Sequence, residues 1–227
     1  MVKEISTFIG SNEFKRTSPF LKNKTAILTV DMQKEYCIPG RDPSHPELDS
    51  KSFFHSELRN LVIPNQVKII SLARKLNIEV MHTVIESLTQ DGRDRSIDHR
   101  LSGMNVPKGS EGAEVIDEIR PVADEIIIPK TSSGVFNSTN IDYVLRNLDI
   151  RFLIIFGIVT DQCVDMAVRD AADRGYLVTM VSDASTTITS ERHKNALDAF
   201  SGYCRIMSTN DLLVELKNIM WFGVLKV

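Results

Sequence analysis

The sequence has few cysteines and no recognisable leader. Only three cysteines occur among 227 residues, Cys37, Cys163 and Cys204, and they are too few and too scattered for a disulfide framework. An odd number of thiols fits a reducing compartment better than a secreted protein. The first residues, MVKEISTFIG, contain no apolar stretch of the signal-peptide kind. We therefore expect a cytoplasmic protein.

Strong charge of one sign and long apolar runs are also missing. The net charge is −3, and no five-residue window is dominated by lysine and arginine, which argues against nucleic acid or an anionic membrane as a partner. No apolar run approaches the roughly 18–20 residues needed to span a bilayer. The composition, 42% hydrophobic and 25% charged, is that of a globular protein. The length suits one α/β domain over residues 1–227, with its core at about 25–209.

Short apolar runs that are rich in valine and isoleucine alternate with helical patterns. Such runs are typical of parallel strands buried on both faces, and they cover 26–30, 78–84, 125–128, 152–157, 176–181 and 204–208. Helical patterns cover 65–76, 141–148, 162–174, 191–200 and 211–219, and Gly175 is a candidate left-handed cap. This alternation predicts a three-layer α/β/α sandwich with a Rossmann-like, mostly parallel, six-stranded sheet.

Residues 86–112 interrupt the alternation. Their sequence, ESLTQDGRDRSIDHRLSGMNVPKGSEG, is polar, charged and nearly without periodicity. A structureless segment of this length within a compact domain is uncommon and often forms a lid or binding loop. A solvated surface loop and a subunit contact are the alternatives. We call residues 86–112 the lid segment.

Three predicted strands lead to residues with reactive side chains. Asp31 ends one strand, Lys130 ends another, and Cys163 begins the helix after a third. The carboxyl ends of parallel strands meet at one edge of a sheet, where open α/β sheets bind ligands. Backbone N–H groups in the first turn of a helix favour a thiolate and can hold an oxyanion. A carboxylate can act as general base for a thiol, and an ammonium keeps that carboxylate anionic.

Each of these residues has an ordinary structural explanation when it is taken alone. Asp31 would cap a turn, Lys130 would be exposed to solvent, and Cys163 would be a small buried apolar residue. Their placement at three strand ends is harder to explain by chance. Together they predict a catalytic triad.

Three stretches resemble, in order, the signature blocks of the isochorismatase-like cysteine hydrolase superfamily. They are LTVDMQKEYC, IIIPKTSSGVFNSTNIDYVLRNL and LIIFGIVTDQCVDMAVRDAADRGYLVTMVSDA, and the resemblance extends from about residue 25 to residue 209. It implies that Cys163 is the nucleophile, Asp31 the proton shuttle and Lys130 the third member of the triad. It also implies a cis peptide bond between Ile158 and Val159, and an oxyanion hole formed by the backbone N–H groups of Val159 and Cys163.

The cysteine indicates which branch of the superfamily the chain resembles. Members that hydrolyse amides keep it, whereas members that hydrolyse the vinyl ether of isochorismate typically lack it. The resemblance therefore implies cleavage of a C–N bond through a covalent cysteine thioester. The lid segment and the two blocks after it are similar to biuret amidohydrolases and related ureido-amide hydrolases, which implies a small linear amide or ureido substrate.

Four residues are candidates for binding such a substrate. Tyr36, five residues after Asp31, is expected to wall the pocket, and Gln162 to donate to a substrate carbonyl. Arg93 and Arg95 in the lid segment suit a small planar urea, which needs many hydrogen bonds. Exposed, solvated side chains are the alternative for Gln162 and both arginines.

Two other functions remain open. The first is a nicotinamidase or an isochorismatase-type hydrolase. Nicotinamidases usually carry a metal at an Asp-x-His pair with further histidines, but Asp42 and His45 have the wrong spacing, so we expect neither metal nor cofactor. The second is a non-catalytic scaffold, against which the intact triad argues. The histidine on the second strand, His82, is expected to be a hydrogen-bonded core residue.

The resemblance also suggests a homodimer or homotetramer. The lid segment is a candidate for its interface. The apolar residues 220–227 are expected to dock on the domain or on a neighbouring subunit.

Overall fold

The computed structural model describes residues 15–224, with side chains described up to residue 219. The expectations about a leader at the N-terminus and about docking by residues 220–227 concern side chains outside this part. Among the described residues, no helix combines the length and apolarity needed to cross a bilayer.

The sheet has six strands, and all of its neighbours pair in parallel. The predicted six-stranded sheet is confirmed, with no antiparallel pair among these strands. The strands are β1 (Thr25–Val30), β2 (Glu79–Ile85), β3 (Ile126–Lys130), β4 (Phe152–Gly157), β5 (Leu177–Val181) and β6 (Arg205–Met207). β3 extends two residues beyond its predicted end, through Pro129. An edge strand tolerates proline because one side of its backbone needs no partner.

Helices cover both faces of the sheet, so the predicted three-layer sandwich is confirmed. They are α1 (Lys34–Cys37), α2 (Phe53–Glu57), α3 (Ile63–Leu76), α4 (Ile97–Leu101), α5 (Val135–Ser138), α6 (Ile141–Asn147), α7 (Asp165–Asp173), α8 (Ser190–Ala199) and α9 (Thr209–Val224). The helix predicted from residue 162 begins earlier, with a π-helical turn over Thr160–Val164. It ends before Gly175, whose φ of 89° is that of the predicted left-handed cap.

The strand order places a ligand crevice between β1 and β4. The order across the sheet is β3-β2-β1-β4-β5-β6, so the chain leaves β1 first towards one edge and later, from β4, towards the other. Crevices form at the carboxyl ends of strands where the direction of winding changes. Every residue of β1 and β4 is buried, because helices cover both faces at this central position.

His82 on β2 is part of the core, as the sequence predicted. Its side chain is fully buried, with Nδ1 2.8 Å from the Thr29 hydroxyl and Nε2 3.4 Å from a Glu125 oxygen. Both ring nitrogens therefore have polar partners, as a buried histidine requires.

The lid segment is folded, and the prediction that it lacks structure is wrong. It contains α4, whose first turn is capped by Ser96 Oγ accepting from His99 N at 3.1 Å. Leu88 N donates to the Asp94 carboxylate at 2.8 Å, and Arg95 donates to the Met104 carbonyl at 2.6 Å. Polar side chains here bond to nearby backbone and replace the apolar periodicity that sequence patterns detect.

Gly157 allows the ends of β1 and β4 to approach closely. Its φ is 139°, and a Cβ built on it would lie 2.2 Å from the Val30 carbonyl oxygen. No side chain fits at that distance. Because Asp31 follows Val30 directly, this contact also sets the position of Asp31 relative to the segment after β4.

We expect Gly157→Ala to destabilise the protein more than Gly175→Ala does. Both glycines have positive φ, but a Cβ on Gly175 meets no atom within 4 Å, so the control measures backbone strain alone. The steric clash at Gly157 should add about 1–3 kcal/mol to the loss of unfolding free energy. Urea unfolding of both variants tests this. Equal losses of unfolding free energy in the two variants would show that the β1–β4 contact accommodates the added Cβ without cost.

Candidate active site

The structure brings Asp31, Lys130 and Cys163 together at the carboxyl edge of the sheet. Lys130 Nζ lies 2.9 Å from Asp31 Oδ2 and 3.5 Å from Cys163 Sγ. The three residues are 2%, 0% and 5% exposed. Burial to this degree strengthens their electrostatic interactions, because little water screens them.

Strand register and one backbone carbonyl position the ammonium of Lys130. Lys130 pairs with Ile85 at the end of β2, and its Nζ also donates to the Ser132 carbonyl at 3.0 Å. An ammonium has three donors, and here they meet a carboxylate, a carbonyl and a thiol. The buried charge therefore has two hydrogen-bond acceptors and one ion-pair partner.

The backbone of Asp31 is held in an unusual conformation. Its φ is 55°, in the left-handed region that aspartate tolerates better than most residues. Such a conformation costs on the order of 1–3 kcal/mol and persists only where the surroundings enforce it. Thr83 enforces it twice, since its carbonyl accepts from Asp31 N at 3.0 Å and its hydroxyl donates to Asp31 Oδ1 at 3.1 Å.

Gln33 braces the turn that follows Asp31. Its side chain is fully buried and donates to the carbonyls of Ile85 and Gly112 at 3.0 and 2.9 Å, while its oxygen accepts from Ile85 N at 2.7 Å. These three bonds tie the end of β1 to the end of β2 and to the last residue of the lid segment. The position of Asp31 is thereby fixed from both sides.

Burial of the Cys163 thiol favours its protonated form, which opposes the effect expected of its helical turn. Burial raises the pKa of Cys163 to about 12, although the Lys130 ammonium acts in the opposite direction. Burial also acts to lower the pKa of Lys130, but the Asp31 carboxylate outweighs it and the pKa of Lys130 is raised. The lysine is therefore charged at neutral pH. Desolvation dominates the state of the thiol because Cys163 lies below the surface.

The segment after β4 has the backbone implied for an oxyanion hole. The Ile158–Val159 peptide bond is cis. Val159 and Cys163 both line the cavity beside the triad. Val159 N–H donates to no acceptor among the described residues, so it is available to a ligand oxygen.

Tyr36 and Gln162, two predicted substrate-binding residues, lie on the wall of this cavity of about 600 Å³. The Tyr36 hydroxyl is buried and has no hydrogen-bond partner within the described part of the chain. Burial, with the Asp31 carboxylate as the next contribution, holds the pKa of Tyr36 well above its usual range. The phenol is therefore a neutral donor or acceptor. Gln162 is exposed to solvent and also lines the cavity.

The structure places neither Arg93 nor Arg95 on the cavity wall, so their role in substrate binding stays a prediction. The Arg93 side chain is 71% exposed and lies 3.0 Å from Asp91. Arg95 donates to the carbonyls of Gly92 and Met104, so its guanidinium braces the lid segment internally. Backbone carbonyls within the same loop compete with a substrate for the N–H groups of an arginine. A sequence pattern does not reveal which carbonyls lie within reach.

Sequence reasoning missed several residues at the site. Asp98 and Ser133 line the cavity, Thr83 holds Asp31, and His99 is fully buried with Nε2 3.5 Å from Ser133 Oγ. Ser96 as a candidate N-cap, followed by the acidic Asp98, is an available sign of the helix that carries Asp98 and His99. Thr83 had no such sign, because threonine is common in strands.

Asp42 and His45 both lie on the cavity wall, although each has another partner. Asp42 accepts from Ser44 N at 2.8 Å, and His45 Nδ1 is 3.0 Å from Glu47. Within residues 15–219, no group of three or more His, Cys, Asp or Glu side chains is arranged to hold a metal ion.

A buried thiol, carboxylate and ammonium at the crevice of a doubly wound sheet define a cysteine hydrolase. The family model of the isochorismatase domain matches residues 25–211. The chain belongs to the isochorismatase family.

Relatives and solved structures agree with this membership. The chain is 29% identical over 185 residues to a ureidoacrylate amidohydrolase of Agrobacterium fabrum, covering 72% of this chain and 76% of the relative. It is 31% identical over 182 residues to a probable inactive nicotinamidase of Arabidopsis thaliana, covering 77% and 87%. A cysteine hydrolase from Pseudomonas syringae superposes with a TM-score of 0.77 at 21% identity, covering 92% and 100%. N-carbamoylsarcosine amidase from Thermoplasma acidophilum gives 0.66 at 26% identity, covering 82% and 96%.

We expect Lys130→Met to lose about 3–5 kcal/mol of unfolding free energy, because it leaves the Asp31 carboxylate buried without a countercharge. Asp31→Asn in the same chain removes that charge, keeps an acceptor for Thr83 and should restore at least half of the loss. Lys24→Met, which breaks a half-exposed ion pair with Asp149, should cost less than about 1 kcal/mol. Urea unfolding measures all three. A double variant no more stable than Lys130→Met would show that the charges are not coupled.

The neutral Cys163 thiol also predicts how stability depends on pH. The thiol ionises at about 12 in the folded protein and at about 8.5 in the unfolded chain. The folded state keeps a proton that the unfolded chain loses above about pH 8.5, so stability falls as pH rises from there, by up to about 1.4 kcal/mol per unit. In Cys163→Ala, the free energy of unfolding measured in urea should fall less steeply with pH, by up to about 1.4 kcal/mol per pH unit. Identical slopes would indicate a preformed thiolate.

Proposed function

We propose that the protein hydrolyses the C–N bond of a small linear amide or ureido compound, biuret-like in size, through a thioester on Cys163. One observation carries the proposal: a single buried ammonium contacts both the Asp31 carboxylate and the Cys163 thiol at the wall of a ligand-sized cavity. The ureidoacrylate amidohydrolase and N-carbamoylsarcosine amidase relatives support the class of bond.

The first half of the reaction is acylation of Cys163. Asp31 accepts the thiol proton as Sγ attacks the substrate carbonyl carbon, and a tetrahedral oxyanion forms. The backbone N–H groups of Val159 and Cys163 hold that oxyanion. The C–N bond then breaks, Asp31 returns the proton to the departing nitrogen, and an acyl thioester and a free amine or ammonia result.

The second half is hydrolysis of the thioester. Asp31 takes a proton from a water molecule, whose oxygen attacks the thioester carbonyl. The C–S bond breaks, the acid is released, and the proton held by Asp31 returns to the Cys163 sulfur. Lys130 stays protonated throughout and stabilises the negative charge as it passes between carboxylate and sulfur.

Deprotonation of the thiol accompanies attack on the carbonyl in this scheme. Because burial raises the pKa of Cys163 to about 12, a free thiolate is rare in the resting protein at neutral pH. Negative charge on sulfur therefore develops only when a carbonyl carbon is in place to receive it.

The cavity wall suits a small planar substrate with polar edges. Tyr36 presents a buried hydroxyl, and Ser133 and Gln162 add further donors and acceptors. Ile85, Ile158 and Ile188 supply apolar surface against which a planar group can lie. Specificity in such a pocket comes from a few fixed polar groups on an otherwise apolar wall.

We expect Cys163→Ala to abolish turnover while the protein stays folded, and Cys204→Ala, which removes another buried thiol, to keep most of the activity. Ammonia release over biuret, ureidoacrylate, nicotinamide and simple carboxamides identifies the substrate. Intact-mass spectrometry during turnover should show an acyl adduct that is absent from Cys163→Ala.

Three outcomes of this experiment would contradict the proposal. Full activity of Cys163→Ala would exclude the covalent route. Ammonia release from nicotinamide alone would favour a nicotinamidase. No release and no adduct with any of these compounds would favour a non-catalytic scaffold of the same fold.

A further inference from the structure

The cavity wall carries several carboxylates whose charges are balanced to different degrees. Five aspartates line it: Asp31, Asp42, Asp98, Asp161 and Asp165. Three of them have cationic partners, in the pairs Lys130–Asp31, Arg192–Asp161 and Arg169–Asp165. Asp42, half-buried, and Asp98, exposed on α4, form no ion pair with any residue among the described side chains.

Nearby arginines do not offset these two charges at the wall. Arg41 is 2.9 Å from Glu111, and the Arg95 guanidinium is held by two backbone carbonyls. Neither residue lines the cavity. Among the described residues that do line it, there is no lysine or arginine, since Lys130 contacts Asp31 from behind the wall.

The histidines of the wall do not restore the balance either. Burial lowers the pKa of His55, so that it is neutral at pH 7, and His45 is paired with Glu47 at 3.0 Å. The described part of the wall therefore presents a net negative charge to a ligand.

A second observation shows what kind of group the cavity accepts next to the triad. The Tyr36 hydroxyl is nine-tenths buried and lacks a partner among the described residues, and a buried unpaired hydroxyl is costly until a ligand bonds to it. Burial, followed by the charges of Asp31 and Asp42 on the same wall, raises the pKa of this hydroxyl. A neutral N–H or C=O group satisfies it, whereas a carboxylate there would face Asp31 and Asp42.

We propose that this cavity selects uncharged or cationic amides and ureas and excludes analogues that carry a carboxylate. The proposal rests on the proposed hydrolase function and specifies the charge of its substrate. At a separation of about 8 Å and an effective dielectric constant between about 20 and 40, two unpaired carboxylates should weaken anion binding by at least about tenfold. A ureido acid such as ureidoacrylate would then be a poor ligand of this chain.

The test uses two probes that differ in charge, N-carbamoylglycine and its neutral methyl ester. Each probe is added at increasing concentration while iodoacetamide alkylates Cys163, and intact mass gives the alkylated fraction. A bound probe slows alkylation, so the readout reports binding and does not require turnover. We expect half-protection by the ester at a concentration at least about tenfold lower than by the acid. In the variant with Asp42→Asn and Asp98→Asn, the half-protection concentrations of acid and ester should differ by no more than about threefold. Both changes remove a charge but keep a hydrogen-bond acceptor.

A matched control separates the local effect from the change in net charge. Asp124→Asn combined with Asp198→Asn removes two exposed carboxylates that are not on the cavity wall and should leave the ratio of the two half-protection concentrations at its wild-type value. Equal protection by acid and ester, no protection by either, or a ratio unchanged in the double variant would overturn the proposal. Because protection reports binding alone, a protein that discriminates between the probes but releases no ammonia would overturn only the proposed hydrolase function.

Discussion

The buried ion pair between Lys130 and Asp31 is the interaction on which the site depends. An ammonium that is entirely shielded from water is costly unless all three of its donors are satisfied. Here its partners come from three places: the end of β1, the loop after β3 and the turn after β4. The sheet must therefore bring these ends together in one register, or the charge remains uncompensated. The same requirement places the Cys163 thiol beside a cation in a dry environment.

Backbone constraints at the ends of β1 and β4 serve this ion pair. Gly157 lets the two strands approach more closely than any side chain would permit. Asp31 adopts a left-handed conformation that Thr83 and Gln33 enforce by hydrogen bonds to its backbone and to the adjacent turn. Unusual conformations persist where packing over-determines them, and they concentrate at functional sites. The neutral thiol and the charged lysine both follow from the resulting burial.

Most of the architecture could be predicted from local patterns, because continuous apolar runs mark strands that are buried on both faces. The predictions failed where polar residues form structure with their own backbone. The lid segment contains α4, which is capped by Ser96, and a turn before it in which the Asp94 carboxylate accepts from Leu88 N. Arg95 illustrates the same competition: its residue type suggests substrate binding, which stays a prediction, while two carbonyls of the lid segment accept from its guanidinium.

The sequence by itself determined the strand–helix alternation, the three reactive residues at strand ends and the family that they resemble, since each depends on residue type and spacing along the chain. Only the tertiary structure decided that burial raises the pKa of the thiol, that Thr83 and Gln33 hold Asp31, and that Asp42 and Asp98 line the cavity without an ion-pair partner among the described residues. These properties depend on burial and on distances between segments that lie far apart in sequence. Desolvation and Coulomb energies vary with those distances, and no local pattern encodes them.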